Sequence, residues 1–172
     1  MIPTLWPFGD TNQWDFKTWP RIQKSFEKMN DKDKFVARMI IAIHAVGILG
    51  APFFYTPEAA IVGFISYWFT SLGITMSYHR QLTHRSFKTE KWLEYIFATW
   101  GTLAIQGHPM DWVSAHRHHH KHCETTADPH SPLDGFFWSH MGWLFDSKEQ
   151  RILFDTSNVN DMKKDPYYNF LK

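Results

Sequence analysis

The chain has 172 residues, 44% of them hydrophobic, and its 18 Lys and Arg nearly balance 17 Asp and Glu for a formal charge of +1. That length suits one domain or part of one, and so small a charge argues against nucleic acid as a partner, since a nucleic-acid binder is normally strongly basic. A lone cysteine, Cys123, excludes an internal disulfide and any zinc module built from several cysteines. A mean hydropathy of −0.38 resembles that of a soluble protein but hides strong segregation along the chain.

Residues 1–38 read as a polar, basic N-terminal segment. Pro3, Pro7, Gly9 and Pro20 interrupt any regular pattern, and neither a signal-peptide core nor an Arg- and Ser-rich transit-like stretch is visible. Arg21, Lys24, Lys28, Lys32, Lys34 and Arg38 form a basic approach to two apolar runs.

Residues 39–55 carry no charge and one histidine, His44, and residues 59–78 carry no charge at all. A helix needs roughly 20 apolar residues to cross a bilayer, so 39–78 is expected to form two transmembrane helices. The competing reading is a pair of buried helices in a soluble protein. Only Thr56, Pro57 and Glu58 separate the runs, which suits a tight hairpin. The basic approach, with Arg80, Arg85, Lys88 and Lys91 beyond the second run, places both flanks on the cytosolic side. Phe53, Phe54, Tyr55 and Tyr78 suit interfacial aromatic belts. His44 is an ionisable group inside a span, where function is the first suspicion and a neutral interface histidine the alternative.

Residues 79–172 form a His-rich cap. Residues 95–105 are uncharged but too few to span, so they predict an interfacial or buried helix. Residues 128–143 mix aromatics with Pro, Gly and Asp and predict loop and amphipathic pieces. The fold class expected is therefore an all-α membrane protein, a two-span hairpin with a cytosolic-side helical cap.

Ten of the eleven histidines lie between His79 and His140, which points to metal. His79 and His84 are five residues apart, about 140° around a straight α-helix. They share one site only if the helix ends or bends between them. His116, His119 and His120 fall within a face of about 100°, whereas His118 points the opposite way. The HxxHH spacing thus selects three ligands and rejects His118. Neutral imidazoles are good ligands for Fe, Zn, Cu and Ni. A solvated histidine patch is the bland alternative.

These strings resemble the membrane-bound fatty acyl desaturases of the Δ9 type, in a plant- or algal-like form. The resemblance runs from about residue 38 to residue 172. It is carried by SYHRQLTHRSFK (77–88), DWVSAHRHHHKHCETTADPHSP (111–132) and GFFWSHMGWLF (135–145). It implies an enzyme that uses O2 to introduce a cis double bond into an acyl chain, with two Fe ions held almost entirely by histidine. His79 and His84 match the family's first-box ligands; His116, His119 and His120 match those of its second box. The family also implies four spans, a third HxxHH box and one further histidine; no histidine follows His140 here. The resemblance therefore implies an N-terminal portion with five of eight box ligands and half of the membrane scaffold. Plant-type members have Tyr where His118 stands and often Asp where His108 stands.

Removing two hydrogens from unactivated methylenes is beyond any acid–base group, which explains why the family relies on an O2-dependent iron cofactor. The acyl chain must be held in one bend so that a single carbon pair faces the metal. Trp112, Phe136, Phe137 and Trp138 are candidates to line that channel, with packing or interface anchoring as the alternative. Asp128 and His130 are expected to orient ligands or fix their loop. Cys123 reads as an ordinary thiol.

No flavin or haem motif is visible, so the implied electron donor is cytochrome b5 or a ferredoxin. Acyl-CoA members carry two Arg just before the glycine of the GFF string, suited to phosphate. Leu133 and Asp134 stand there instead, and Asp134 would repel phosphate. An acyl-lipid substrate is therefore favoured over acyl-CoA, in the endoplasmic reticulum membrane or a chloroplast membrane. Two other readings compete: another His-box membrane oxygenase, and a non-enzymatic two-span partner of a full-length desaturase.

Overall fold

The computed structural model describes residues 29–125, 127–146 and 155–172. Arg21, Lys24 and Lys28, and with them most of the N-terminal segment, lie outside the described residues.

Helix α1, Asp31–Phe54, has 24 residues. Its start is a reciprocal cap. The Asp33 N–H donates to Asn30 Oδ1 at 3.0 Å and the Asn30 N–H to Asp33 Oδ2 at 2.9 Å. At 1.5 Å per residue the helix is about 36 Å long, enough for a hydrocarbon core of about 30 Å. Tyr55 and Thr56 turn the chain. Helix α2, Pro57–Leu72, opens with Pro57 in its first turn and with Thr56 Oγ1 accepting the Ala59 N–H at 3.1 Å.

The apolar side chains of both helices face outward: Val46, Ile48, Leu49, Ile61, Val62 and Phe64 are all exposed. Almost nothing in either span is buried within the protein, so these are not core helices of a soluble fold. Such a surface needs an apolar covering, lipid or further helices. Polar groups on the spans are satisfied locally, as hydrocarbon demands: Thr70 donates to Ser66 O, Thr75 to Ser71 O, and His44 Nδ1 to Ile40 O at 2.8 Å. The His44 bond is self-contained within its own helix. The protein is an all-α membrane protein, as its sequence predicts; no strand occurs among the described residues.

The second helix does not stop at the end of its apolar run. It continues as a π-helix, Gly73–Thr83, so the boundary expected at residue 78 falls inside one unbroken helix. Helix α3, Lys91–Leu103, crosses it at two glycines. A Cβ on Gly73 would lie 2.1 Å from Gly101 N, and one on Gly101 would lie 2.5 Å from the Tyr78 ring. Only glycine permits this approach. Tyr78 is fully buried there, its hydroxyl 3.1 Å from Thr102 Oγ1. The 95–105 stretch is thus buried on one face, at Ala98 and Gly101, and exposed on the other, at Ile96, Leu103 and Ile105.

Helix α4, Pro109–His122, carries the second histidine cluster. Short pieces follow: a 3-10 turn at Pro132–Asp134, α5 at Phe136–His140, a 3-10 turn at Gly142–Phe145 packed against α1, and another at Thr156–Asn158. They end with α6, Asn160–Lys163, and α7, Pro166–Phe170. The cap core is small: Tyr78, Leu82, Ala98, Met110, Val113, Val159, Met162 and Tyr168. It joins the end of the second span to α3, α4 and the C-terminal pieces.

Candidate metal centre

The π-helix resolves the spacing of the first pair. Its hydrogen bonds run from i+5 to i, so residues five apart lie one turn above each other. The His84 N–H donates to the His79 carbonyl at 3.1 Å, and Thr83 Oγ1 donates to the Tyr78 carbonyl at 2.7 Å. The helix need not end or bend between the two histidines, as an α-helix would have to; it widens. Their Nε2 atoms come to 3.1 Å.

On α4, His116 and His120 are one α-turn apart, and their Nε2 atoms are also 3.1 Å apart. The two pairs face each other. Ring centroids lie 4.7 Å apart for His79 and His116, and 4.6 Å for His84 and His120. One ring nitrogen from each of the four falls within 4.8 Å of the others. Tetrahedral nitrogens bonded to one ion at about 2.0–2.1 Å sit roughly 3.3 Å from each other, so the donor set fits a single cation.

His119 goes elsewhere. The 100° face of α4 divides: His116 and His120 turn to the first box, while His119 groups with Asp128 and His130. His119 stacks on His130 at 4.1 Å between ring centroids. Its Nδ1 donates to Asp128 Oδ1 at 2.8 Å, leaving Nε2 as the available ligand atom. Asp128 also accepts from the Glu124 and His130 N–H groups, so its buried carboxylate orients the ligand and pins the loop. His130, expected to orient ligands or fix their loop, instead offers a ring nitrogen within 4.8 Å of the His119 and Asp128 ligand atoms. His118 turns away, its Nε2 3.1 Å from the Ala127 carbonyl.

The electrostatics suit metal. Burial, then the neighbouring charges of His120, His79, His119 and His84, push His116 down to about 3. Burial and nearby His84 lower His120, and burial with His119 lowers His130. Neutral imidazoles are the ligating form. Burial acts to raise Asp128, but hydrogen bonds from His119, Glu124 and His130 outweigh it and hold the carboxyl below its ordinary range.

The proposed channel residues separate. Trp112 stacks on His116 at 4.9 Å and donates from Nε1 to Gln106. Trp138 is fully buried and donates from Nε1 to the Pro129 carbonyl, so it packs under the 128–132 loop. Phe136 is exposed and stacks on His140. A cavity of about 310 Å³ lies across the π-helix, lined by Gln81, Arg85, Lys88, Asp161 and Tyr168 among others, and none of the three lines it. Cys123 is exposed, with Sγ 3.8 Å from His119 Nε2.

His108 was not among the expected site residues. It caps α4: Nδ1 accepts the Met110 N–H, so Nε2 carries the proton and donates to the Tyr168 carbonyl at 2.7 Å. Pro109 at the first helical position was its local signal. No local signal marks Arg85, Arg117 and Asp161 as partners, because the two arginines meet Asp161 only across 76 and 44 residues of sequence.

No family model matches the chain. Among curated proteins it is 49% identical over 137 residues to a palmitoyl-monogalactosyldiacylglycerol delta-7 desaturase, chloroplastic, of Arabidopsis thaliana, covering 78% of this chain and 36% of that protein. Delta-9 acyl-lipid desaturase 1 of the same plant is 51% identical over 134 residues, covering 76% of this chain and 43% of that protein. Delta-9 acyl-lipid desaturase 2 is 44% identical over 160 residues, covering 92% and 48%. The chain spans about half the length, or less, of these curated relatives. The π-wound first pair, the α-wound second pair and this identity agree, and the chain belongs to the membrane-bound fatty acyl desaturase family.

Proposed function

We propose that the protein takes part in O2-dependent desaturation of a fatty acyl chain, introducing a cis double bond of the Δ9 type. The supporting observation is the convergence of His79, His84, His116 and His120 on one point at the end of a membrane span. These four would hold one iron, and His119, with Asp128 behind it and His130 beside it, would contribute to a second. When bound, the iron pair supplies the O2-dependent removal of two unactivated hydrogens.

The chain's own residues do the rest. The π-helix carries His79 and His84 straight out of the bilayer, so substrate and centre meet at the membrane surface. Burial keeps His116 neutral and ready to ligate. Asp128 fixes the His119 tautomer and ring plane. Trp112 packs against the His116 ring and helps hold it in place.

An acyl-lipid substrate is favoured over acyl-CoA. Leu133, half exposed, and Asp134 offer no cation for the coenzyme phosphates. Two of the relatives are named as acyl-lipid desaturases, and a third by a galactolipid. The membrane is that of the endoplasmic reticulum or a plastid, with cytochrome b5 or a ferredoxin as electron donor. The domain plan proposed is an N-terminal segment to residue 38, two spans, and a cap from residue 79.

The test joins these residues to the downstream half of Delta-9 acyl-lipid desaturase 2 and expresses the chimera in desaturase-deficient yeast. Growth without added unsaturated fatty acid is expected, and its loss on His116→Ala. A chimera that accumulates in membranes yet makes no unsaturated chain would overturn the reading. Feeding labelled acyl-CoA and labelled glycerolipid separately to those membranes tests the substrate. Rapid desaturation of the CoA ester, before transfer to lipid, would defeat the acyl-lipid assignment.

A further inference from the structure

One carboxylate ties the two histidine boxes together. Arg85 directly follows His84, and Arg117 directly follows His116. Both reach Asp161. Arg117 binds it in fork geometry, Nη1 to Oδ1 at 2.8 Å and Nη2 to Oδ2 at 3.0 Å. Arg85 Nη2 donates to the same Oδ2 at 2.7 Å. Arg117 Nη2 also donates to the Leu82 carbonyl at 2.8 Å, inside the first box, and Nη1 to the Asn158 carbonyl at 2.8 Å.

Asp161 is itself held firmly. It sits on α6 between Val159, fully buried, and Met162, 3% exposed. Asn158 Nδ2 donates to the Ser114 carbonyl at 3.0 Å, and Ser114 Oγ donates to the Asp155 carbonyl. The carboxylate is therefore fixed relative to α4. Arg85 adopts φ of +52°, a left-handed conformation that an arginine keeps only when its surroundings hold it there.

We infer that Asp161 is a positioning residue: by joining Arg85 and Arg117 it sets the distance between the two histidine boxes. The inference rests on the reading of the four-histidine group as a metal centre. Without the carboxylate, the like charges of Arg85 and Arg117, one beside each box, would repel and press the boxes apart. The chain that connects the π-helix to α4 runs through the whole of α3, so the two boxes meet through contacts rather than a short linker. The bidentate Arg117 pair is charge-assisted and geometrically specific, so it fixes a spacing as well as neutralising charge.

The test uses the 172-residue chain in detergent and Co2+, whose visible bands report tetrahedral nitrogen ligation. Wild type should bind one Co2+ with a tetrahedral spectrum that His116→Ala abolishes. Asp161→Asn should weaken binding roughly 10-fold or more and distort the bands, and Asp161→Glu should restore the spectrum. Asp165→Asn removes a carboxylate on the same C-terminal segment that bonds Lys91 and Tyr95 but no box residue. It should leave Co2+ affinity within about twofold while lowering the melting temperature. Should Asp161→Asn fail to fold, Arg85→Gln, at a side chain 65% exposed, reads the same effect with a smaller loss. An unchanged spectrum and affinity in Asp161→Asn, or in Arg85→Gln where that variant decides, would overturn the inference. So would an equal loss in Asp165→Asn, which would mark general loosening. Absence of any Co2+ binding by wild type would overturn both this inference and the metal reading, and is seen first.

Discussion

The backbone N–H of His84 donates to the carbonyl of His79 at 3.1 Å, and the same two residues bring their Nε2 atoms to 3.1 Å. One π-turn thus sets both the main-chain bond and the ligand pair. Inserting one alanine between Arg80 and Gln81 turns the two rings apart whether the helix winds as α or π. The expected result is roughly 100-fold weaker Co2+ binding with helical circular dichroism retained. Unchanged affinity would mean that the first box does not supply two ligands to one ion.

The second box should divide in function as it divides in space. His116→Ala or His120→Ala should abolish the tetrahedral Co2+ signal. His119→Ala should leave that signal intact, because His119 belongs with Asp128 and His130. His118→Ala should change neither, since His118 turns to Ala127. Metal content by plasma emission, with the visible spectrum, reads all four variants.

Asp128→Asn removes the charge from an acceptor that serves His119 and the Glu124 and His130 N–H groups. A destabilisation of about 1–3 kcal/mol is expected, from leaving buried donors poorly matched. Thermal unfolding in detergent measures it. A change below about 0.5 kcal/mol would show that the 124–130 loop is held by other contacts.

Acid should loosen the cap through its paired carboxylates. Hydrogen bonds from Arg117, then Arg85, hold Asp161 well below its ordinary value; burial opposes them. Burial acts to raise Asp165, but bonds from Lys91, the Tyr167 N–H and Tyr95 outweigh it. Groups depressed in the folded state stabilise it above their unfolded pKa of about 3.9, and that stability is lost as pH falls through the folded value. Melting temperature should therefore drop below about pH 4, and less steeply in a double Asp161→Asn, Asp165→Asn variant. Identical acid profiles would show that neither pair matters to folding.

The 172 residues supplied alone should not desaturate. They hold one complete four-nitrogen group and a second group of His119, Asp128 and His130 among the described residues. Expression in desaturase-deficient yeast, scored by growth without unsaturated fatty acid, checks this. Rescue with no partner polypeptide would show that these residues complete both metal sites themselves.

Much of this was legible in the chain. Two uncharged runs joined by Thr56-Pro57-Glu58 dictate a membrane hairpin, because burying charge in hydrocarbon is costly and backbone must bond within its own helix. The clustering of ten histidines and the HxxHH spacing announce metal, and helical geometry alone sets His118 aside. What local pattern could not decide was winding and partnership. Spacing of five residues reads as a mismatch on an α-helix, and only the packing of Gly73 against Gly101 and of Tyr78 behind them accompanies the π-turn that removes it. An angular wheel shows which residues share a face of α4, not which neighbours meet them. The crossing of the π-helix claimed His116 and His120, while the Asp128 loop claimed His119. Asp161, separated from Arg85 by 76 residues, carries no sequence signal at all, since a long-range ion pair depends on the fold that brings its partners together.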